Sequence, residues 1–329
     1  MKKVDILLAT YNPNDQYFIQ LLKSLDEQSY PNLFLIIRDD SSNSDTFHSI
    51  SKLVKTHITS FDYRITANQN NLGSNKTFEK LTLDSRGDYV AYCDQDDIWE
   101  KDKLTKLVEL IEKNKDTVLC YSDLSVIDKD GVQLAESFKA INRRVNHLYG
   151  NQLFKYFLRR NCITGCTMLI KSEIAKNAIP FCSQYYIHDH WLALFASSRG
   201  RISYLPDPLV QYRLHEKNQI GLSLLNNIDD KDDYYKKKLL TERSKYQWLL
   251  EYYKTNPICV HSVQQVLKWT EDRIRFFENK SFRTTFLMIS RIKVDPQLIL
   301  LELFINLLPL SFSRIIIKTI KYRFSAHCK

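Results

Sequence analysis

Glycine is scarce in this chain, with 7 residues in 329. That excludes a collagen-like or glycine-rich low-complexity polymer and makes each glycine position informative. Long apolar runs are missing too: no stretch reaches the roughly 18 uninterrupted apolar residues of a membrane-spanning helix. The N-terminal MKKVDILLATYNP is interrupted by Asp5 and followed by no small-residue cleavage site, so it reads as a first strand and not a signal peptide. The 7 cysteines, odd in number and irregularly spaced, form no secreted disulfide framework. The nearest pair, Cys162 and Cys166, has no paired CxxC partner of the kind a zinc site uses. A reducing cytoplasm is the expected compartment.

What is present is ordinary globular material, 44% hydrophobic and 26% charged, long enough to bury a core without staples and for about two domains at ~150 residues each. The formal net charge is +9, and 19 Tyr and 17 Phe supply aromatic surface for gripping sugars, nucleobases or an interface. The basic excess is concentrated at the C-terminal end, which argues against a nucleic-acid binder.

The first half alternates strand and helix signals. Val4 to Ala9, Leu33 to Ile37, Tyr63 to Thr66 and Tyr89 to Cys93 are short β-rich runs. Between them lie helical spacings over Tyr17 to Gln28, about Thr46 to Val54, and up to Leu83. This rhythm predicts a mostly parallel sheet with helices on both faces. Ligands of such sheets bind at the C-terminal strand ends, which here carry Thr10-Tyr11-Asn12, Asp39-Asp40 and Asp94-Gln95-Asp96-Asp97. Further strands are expected at Val118 to Ser122, Thr167 to Ile170 and Ile202 to Tyr204. From about Asp229 the pattern turns helical, with one helix over Val260 to Phe277.

The Asp94–Asp97 cluster is the sharpest chemical signal. Crowded carboxylates repel one another unless a cation neutralises them. Hard oxygen donors without neighbouring His or Cys suit Mg²⁺ or Mn²⁺, and Mg²⁺ shares its shell with substrate phosphates. The competing reading makes Asp97 the N-cap of a helix beginning near Trp99.

TYNP after the first strand, IIRDDSSNSDT after the second, NNLGSNKTF after the third and YCDQDDIWEKDKL after the fourth together resemble the family 2 glycosyltransferases. The look is nearest to bacterial enzymes that build rhamnose-containing cell-surface polysaccharides. The resemblance covers roughly residues 3–220 and implies a GT-A fold, an α/β nucleotide-binding domain with an Asp-x-Asp metal motif. It implies a catalytic domain over 1–222 and a helical C-terminal region over 223–329. Thr10 and Tyr11 would line the nucleobase pocket, and Asp40 would accept the pyrimidine N3–H or else cap the next helix with Ser41. Asn71, Gly73 and Lys76 would approach the nucleotide. Asp94 and Asp96 would hold Mg²⁺ or Mn²⁺, while Arg213 and His215, in the segment YRLHEKNQIG, would reach the diphosphate or metal. Asp189, in YIHDHWL, matches the general base of an inverting transfer, with His190 orienting it or the acceptor. The rival is a His188/His190 metal pair. Thr164-Gly165-Cys166-Thr167 matches a segment bordering the acceptor, with Cys166 a packing residue. Trp99 and Trp191 suit either sugar stacking or the core.

The implied activity is metal-dependent inverting transfer of a sugar, L-rhamnose from dTDP-rhamnose first, to a saccharide acceptor, either lipid-linked or a free oligosaccharide. A UDP-hexose or UDP-N-acetylhexosamine donor is the alternative. A sugar-nucleotide nucleotidyltransferase would show a glycine-rich phosphate loop where this chain has TYNPND, and a phosphoacceptor receiver would be far shorter. At the C-terminal end, Gln297 to Leu310 is strongly apolar but broken by Glu302 and Asn306. Residues 291–329 hold seven basic against two acidic side chains, including Arg314, Lys318, Lys321, Arg323 and Lys329. An apolar helix beside a basic one predicts peripheral docking on the inner face of the plasma membrane, or a homodimer contact using the same surface.

Overall fold

A computed structural model describes residues 1–141, 145–215 and 227–326, the last five of these in backbone only. The chain divides into two compact units, Met1–Leu214 and His215–Lys329. The expected boundary at 222/223 lies outside the described residues, as do Glu216–Gly221 of the YRLHEKNQIG segment and Lys329 of the basic tail.

The first unit is built on a nine-stranded sheet in the order β3-β2-β1-β4-β8-β6-β9-β5, with β7 paired to β6. Strands β1 (Val4–Thr10), β2 (Leu33–Asp39), β3 (Asp62–Ala67) and β4 (Tyr89–Cys93) run parallel, as expected. Then come β5 (Ile98–Trp99), β6 (Thr117–Ile127), β7 (Gln133–Ala135), β8 (Met168–Lys171) and β9 (Arg201–Arg213). Strand β8 is antiparallel to both β4 and β6, so the sheet is mixed beyond β4, while β6 and β9 again run parallel. Strands β1 and β4 are apolar at nearly every position because helices cover both faces. Phe18, Leu21 and Leu25 of α1 (Asp15–Asp26), Ile50 and Val54 of α2 (Ser44–His57) and Leu104 and Leu107 of α4 (Lys103–Glu112) pack on one face against Ile6, Leu8, Leu35 and Ile37. Helix α3 (Ser74–Asp84), the short α5 (Phe138–Ile141) and α6 (Phe154–Phe157), then α7 (Ser172–Asn177) and α8 (His188–Ser197) complete the unit.

Two capping expectations are corrected. Helix α2 is capped by Asn43, whose Oδ1 accepts from the N–H groups of Asp45 and Thr46 (2.9 and 3.0 Å), and not by Asp40 with Ser41. Asp97 caps no helix: it enters β5, and the helix after it starts only at Lys103. An amide one residue outside the helix reaches the first-turn donors better than a buried carboxylate does.

The second unit is helical: α9 (Lys231–Asp233), continuing through a π-helical segment (Tyr234–Leu239) into α10 (Leu240–Tyr252), then α11 (Pro257–Glu278), α12 (Phe282–Ser290), α13 (Pro296–Leu307) and α14 (Leu310–Ala326). Asp230, Asn256, Ser281 and Asp295 cap four of these starts, and Pro257 and Pro296 occupy first-turn positions where the missing N–H costs nothing. No helix among the described residues is long and apolar enough to cross a membrane.

Candidate active site

The C-terminal ends of β1, β2 and β4 meet at one edge. Thr10 is buried and donates to Asp39 Oδ1 (3.0 Å), which ties β1 to β2. Tyr11 is exposed beside it, free to pack on a planar ligand. Its backbone is clamped by a residue that the sequence reading passed over. The Tyr11 N–H donates to Gln95 Oε1 (2.7 Å), and Gln95 Nε2 donates to the Tyr11 carbonyl (3.1 Å). The second letter of DQDD therefore locks the acidic loop to the loop after β1.

Asp40 lies buried between β2 and the third loop. It accepts from the N–H groups of Leu72 and Gly73 and from Asn68 Nδ2, each at 2.8 Å. Its carboxylate thus folds the NNLGSN loop, where Gly73 takes a left-handed backbone (φ +77°) that a side chain would disfavour. Asn71 accepts from the Gly73 N–H (3.1 Å), so its amide oxygen serves the same turn. Lys76 pairs with Glu79 on the surface of α3 (2.9 Å). Asn75, unassigned from sequence, reaches across to the start of α8. Its Nδ2 donates to the Tyr186 carbonyl (2.9 Å), and its Oδ1 accepts the His188 N–H (2.7 Å).

The acidic loop holds Asp94 and Asp96 at partial exposure and Asp97 fully buried. Asp97 Oδ1 accepts the Arg213 N–H (3.2 Å), while its Oδ2 has no partner at hydrogen-bond distance among the described residues. A carboxylate oxygen of Asp94, one of Asp97 and the Cys166 sulfur lie within 4.8 Å of one another. Burial raises the carboxyls of both Asp94 and Asp97, with Asp96 adding repulsion to each, and Asp189 also raises Asp94. Behind them Lys103 is buried, donates to the Cys166 carbonyl (2.6 Å) and lies over the Trp99 ring. Burial pulls its ammonium down to about 7. The Cys166 thiol is pushed up by burial and by Asp97 and Asp94, so it stays protonated and leaves oxygen donors to receive a cation. The orphaned buried Asp97 oxygen and the mutual repulsion fit a hard divalent ion, Mg²⁺ or Mn²⁺.

Asp189 sits in the first turn of α8, a favourable end for a carboxylate. It accepts from the His190 N–H and from the Gly165 N–H. Burial raises it to about 6 against these two bonds. Gly165 leaves the space His188 occupies: a Cβ there would come within 2.8 Å of His188 Nε2, and that ring would have to shift. The turn Gly165–Thr167 thus touches the Asp189 carboxylate with one residue and the Asp94/Asp97 pair with the next.

Arg213 does not extend into the open site. It is buried under the acidic loop, with Nε donating to the Asp96 carbonyl (3.0 Å), Nη1 to the Asp128 carbonyl (3.2 Å) and Nη2 to Gln20 Oε1 (2.6 Å), and its guanidinium over Tyr17. His188 and His190 form no metal pair. His188 is buried against Phe78 and held neutral by burial, whereas the His190 ring bonds the Phe157 carbonyl (2.6 Å) and its backbone N–H serves Asp189. Trp191 is core, donating to the Ala178 carbonyl (2.8 Å), and Trp99 is buried as well. His215 is the first residue of the second unit.

Residues 5–177, more than half of the chain, match the model of glycosyl transferase family 2. The chain belongs to that family and is a glycosyltransferase. It is 28% identical over 233 residues to the dTDP-rhamnosyl transferase RfbG of Shigella flexneri, covering 66% of this chain and 74% of RfbG. To the E. coli UDP-Glc:α-D-GlcNAc-diphosphoundecaprenol β-1,3-glucosyltransferase WfaP it is 32% identical over 137 residues, 40% of this chain and 49% of WfaP. In structure it is similar to S. aureus TarS 1–349 in complex with UDP-GlcNAc, with a TM-score of 0.57, 15% identity, and 98% and 92% of the two chains covered. The GT-A fold of the family 2 glycosyltransferases is the fold described above.

Proposed function

We propose that this family 2 glycosyltransferase moves L-rhamnose from dTDP-rhamnose to a hydroxyl of a lipid-linked saccharide, with inversion, during synthesis of a bacterial cell-surface polysaccharide. The carrying observation is the juxtaposition made by Gly165–Thr167, which sets Asp189 beside the Asp94/Asp97 pair. The likeness to RfbG supports the donor, and that to WfaP supports a diphosphate-lipid acceptor.

In this reading Tyr11 packs on the nucleobase, with Thr10 and Asp40 shaping the pocket through their own hydrogen bonds. Asn71 and Gly73 present the third loop to the nucleotide, and Lys76 is a second cation at its margin. Asp94 and Asp96, with Asp97 behind them, hold a divalent ion, and Arg213 braces their loop from beneath through the Asp96 carbonyl. When bound, that ion supplies neutralisation of the departing diphosphate. Asp189 removes the acceptor proton as the anomeric bond to the nucleotide breaks. Attack comes from the face opposite the leaving group, and Asp189 keeps the proton it takes. Lys103, fixed in the core, balances part of the acidic charge so that the loop stays folded before donor arrives.

The test is donor binding and slow donor hydrolysis over a panel of dTDP-rhamnose, UDP-glucose, UDP-galactose and their N-acetyl forms, with Mn²⁺ or Mg²⁺ and then with chelator. Metal-dependent binding of dTDP-rhamnose alone is the expected result. A UDP-sugar bound in its place corrects the donor, and metal-indifferent binding removes the cation from the site.

A further inference from the structure

Helix α13 is inverted relative to a soluble surface helix. Two of its three polar side chains face inward, Gln297 in the first turn being exposed: Glu302 is fully buried against Arg273 (2.6 Å) and Tyr234 (2.7 Å), and Asn306 donates to the Phe276 carbonyl (2.7 Å). Its outward face is apolar, with Leu300, Phe304 and Leu307 exposed at spacings of four and three residues, one stripe of an α-helix. Helix α12 repeats this stripe with Phe282, Phe286 and Ile289, at 89%, 63% and 47% exposure, and α14 adds Phe312 and Ile315. An aqueous surface seldom carries so many large exposed apolar groups on consecutive helices.

The charge on these helices is of one sign. From Asn279 to Lys321 the only carboxylates are Asp295 and Glu302, and both are buried, one capping α13 and the other paired with Arg273. The exposed charges are Lys280, Arg283, Lys293, Arg314 and Lys318. Of these only Arg314 makes an ion pair among the described residues, to Asp230. Exposed phenylalanines interleaved with unpaired cations, on helices whose own two carboxylates are buried and with Glu278 at the end of α11 beside Arg283 and Phe286, suit the interface of an anionic bilayer, where rings sink below the headgroups and ammonium groups stay among the phosphates. A second copy of the chain fits poorly, because a two-fold contact would set these cations against one another.

We infer that the outward faces of α12, α13 and α14 form a docking surface for anionic lipid, with Phe282, Phe286 and Phe304 as inserting side chains and Arg283, Lys293 and Lys318 as headgroup contacts. This rests on the proposed lipid-linked acceptor for its purpose, though not for its physics. The test is flotation of the full chain with vesicles of phosphatidylcholine alone and of phosphatidylcholine mixed with phosphatidylglycerol. Binding to the mixed vesicles only, weakened by added salt, is expected. Phe286→Glu with Phe304→Glu should lower that binding by tenfold or more while donor hydrolysis and melting temperature stay at wild-type values. Arg283→Gln with Lys318→Gln should abolish the preference for anionic vesicles. Failure of the wild-type chain to float, or wild-type binding by the phenylalanine variant, overturns the inference. So does a dimer in light scattering that the same variant dissociates without change in flotation. A chain that floats but hydrolyses no donor would keep the docking surface and overturn only the transferase reading.

Discussion

Asp189 carries the sharpest chemical expectation. A base must be ionised to accept a proton, and burial raises this carboxyl to about 6. Turnover should therefore be full at neutral pH and fall about tenfold per unit as the pH drops below that value. Asp189→Asn should abolish transfer while donor affinity stays near wild type. The linkage sign is opposite to that of a salt-bridged carboxylate. With a folded pKa of about 6 against 3.8 for the free side chain, the fold holds the proton more tightly than the unfolded chain does. The ionised form thus opposes folding above about 6, and its contribution improves as the pH falls toward 3.8. The asparagine variant should accordingly melt no lower than wild type at neutral pH. A flat pH–rate profile, or wild-type turnover by the variant, would remove Asp189 as the base.

Helix α8 is aimed by the first turn of α3, remote in sequence, since Ile187 at its N-cap offers no side-chain bond and Asn75 supplies the contact instead. Asn75→Ala should cost about 1 kcal/mol, in the range of a lost N-cap, read as a drop in melting temperature. It should also lower kcat more than donor KM, because the displaced group is the base and not the donor pocket. An unchanged kcat alongside a lowered melting point would reduce Asn75 to a stability role. The strand ends and the acidic motif were legible as local signals, since strand runs stop abruptly in Asp and Asn. Asn75, Gln95 and the inward turn of Arg213 were not, because each acts on backbone groups between 84 and 117 residues away. A single amide or guanidinium announces no such partner along the chain.

The division into two units, each with its own buried cluster, makes their stabilities separable. In the second unit Arg273 donates to both oxygens of Glu302 (2.6 to 3.0 Å) and to Glu242 (2.6 Å), out of reach of solvent. Glu302→Ala leaves that guanidinium half-paired in the core and should cost about 3–5 kcal/mol. In calorimetry the transition of the helical unit should move down while that of the sheet unit stays in place. Displacement of both transitions together would mean that the units melt as one.

The alternating strands and helices of the first half, the helical character of the C-terminal region, and the acidic and Asp189 motifs could be read along the chain, because hydrophobic period and local clusters of charge are short-range properties. The antiparallel entry of β8, the burial of Arg213 and the inward face of Glu302 could not. Each depends on which side of an element meets the core, and long-range packing settles that after the local pattern is satisfied. The same holds for the outer surface of α13: the sequence shows an apolar helix broken by Glu302 and Asn306, and only the buried Arg273 explains why those two turn inward and leave the phenylalanine outside.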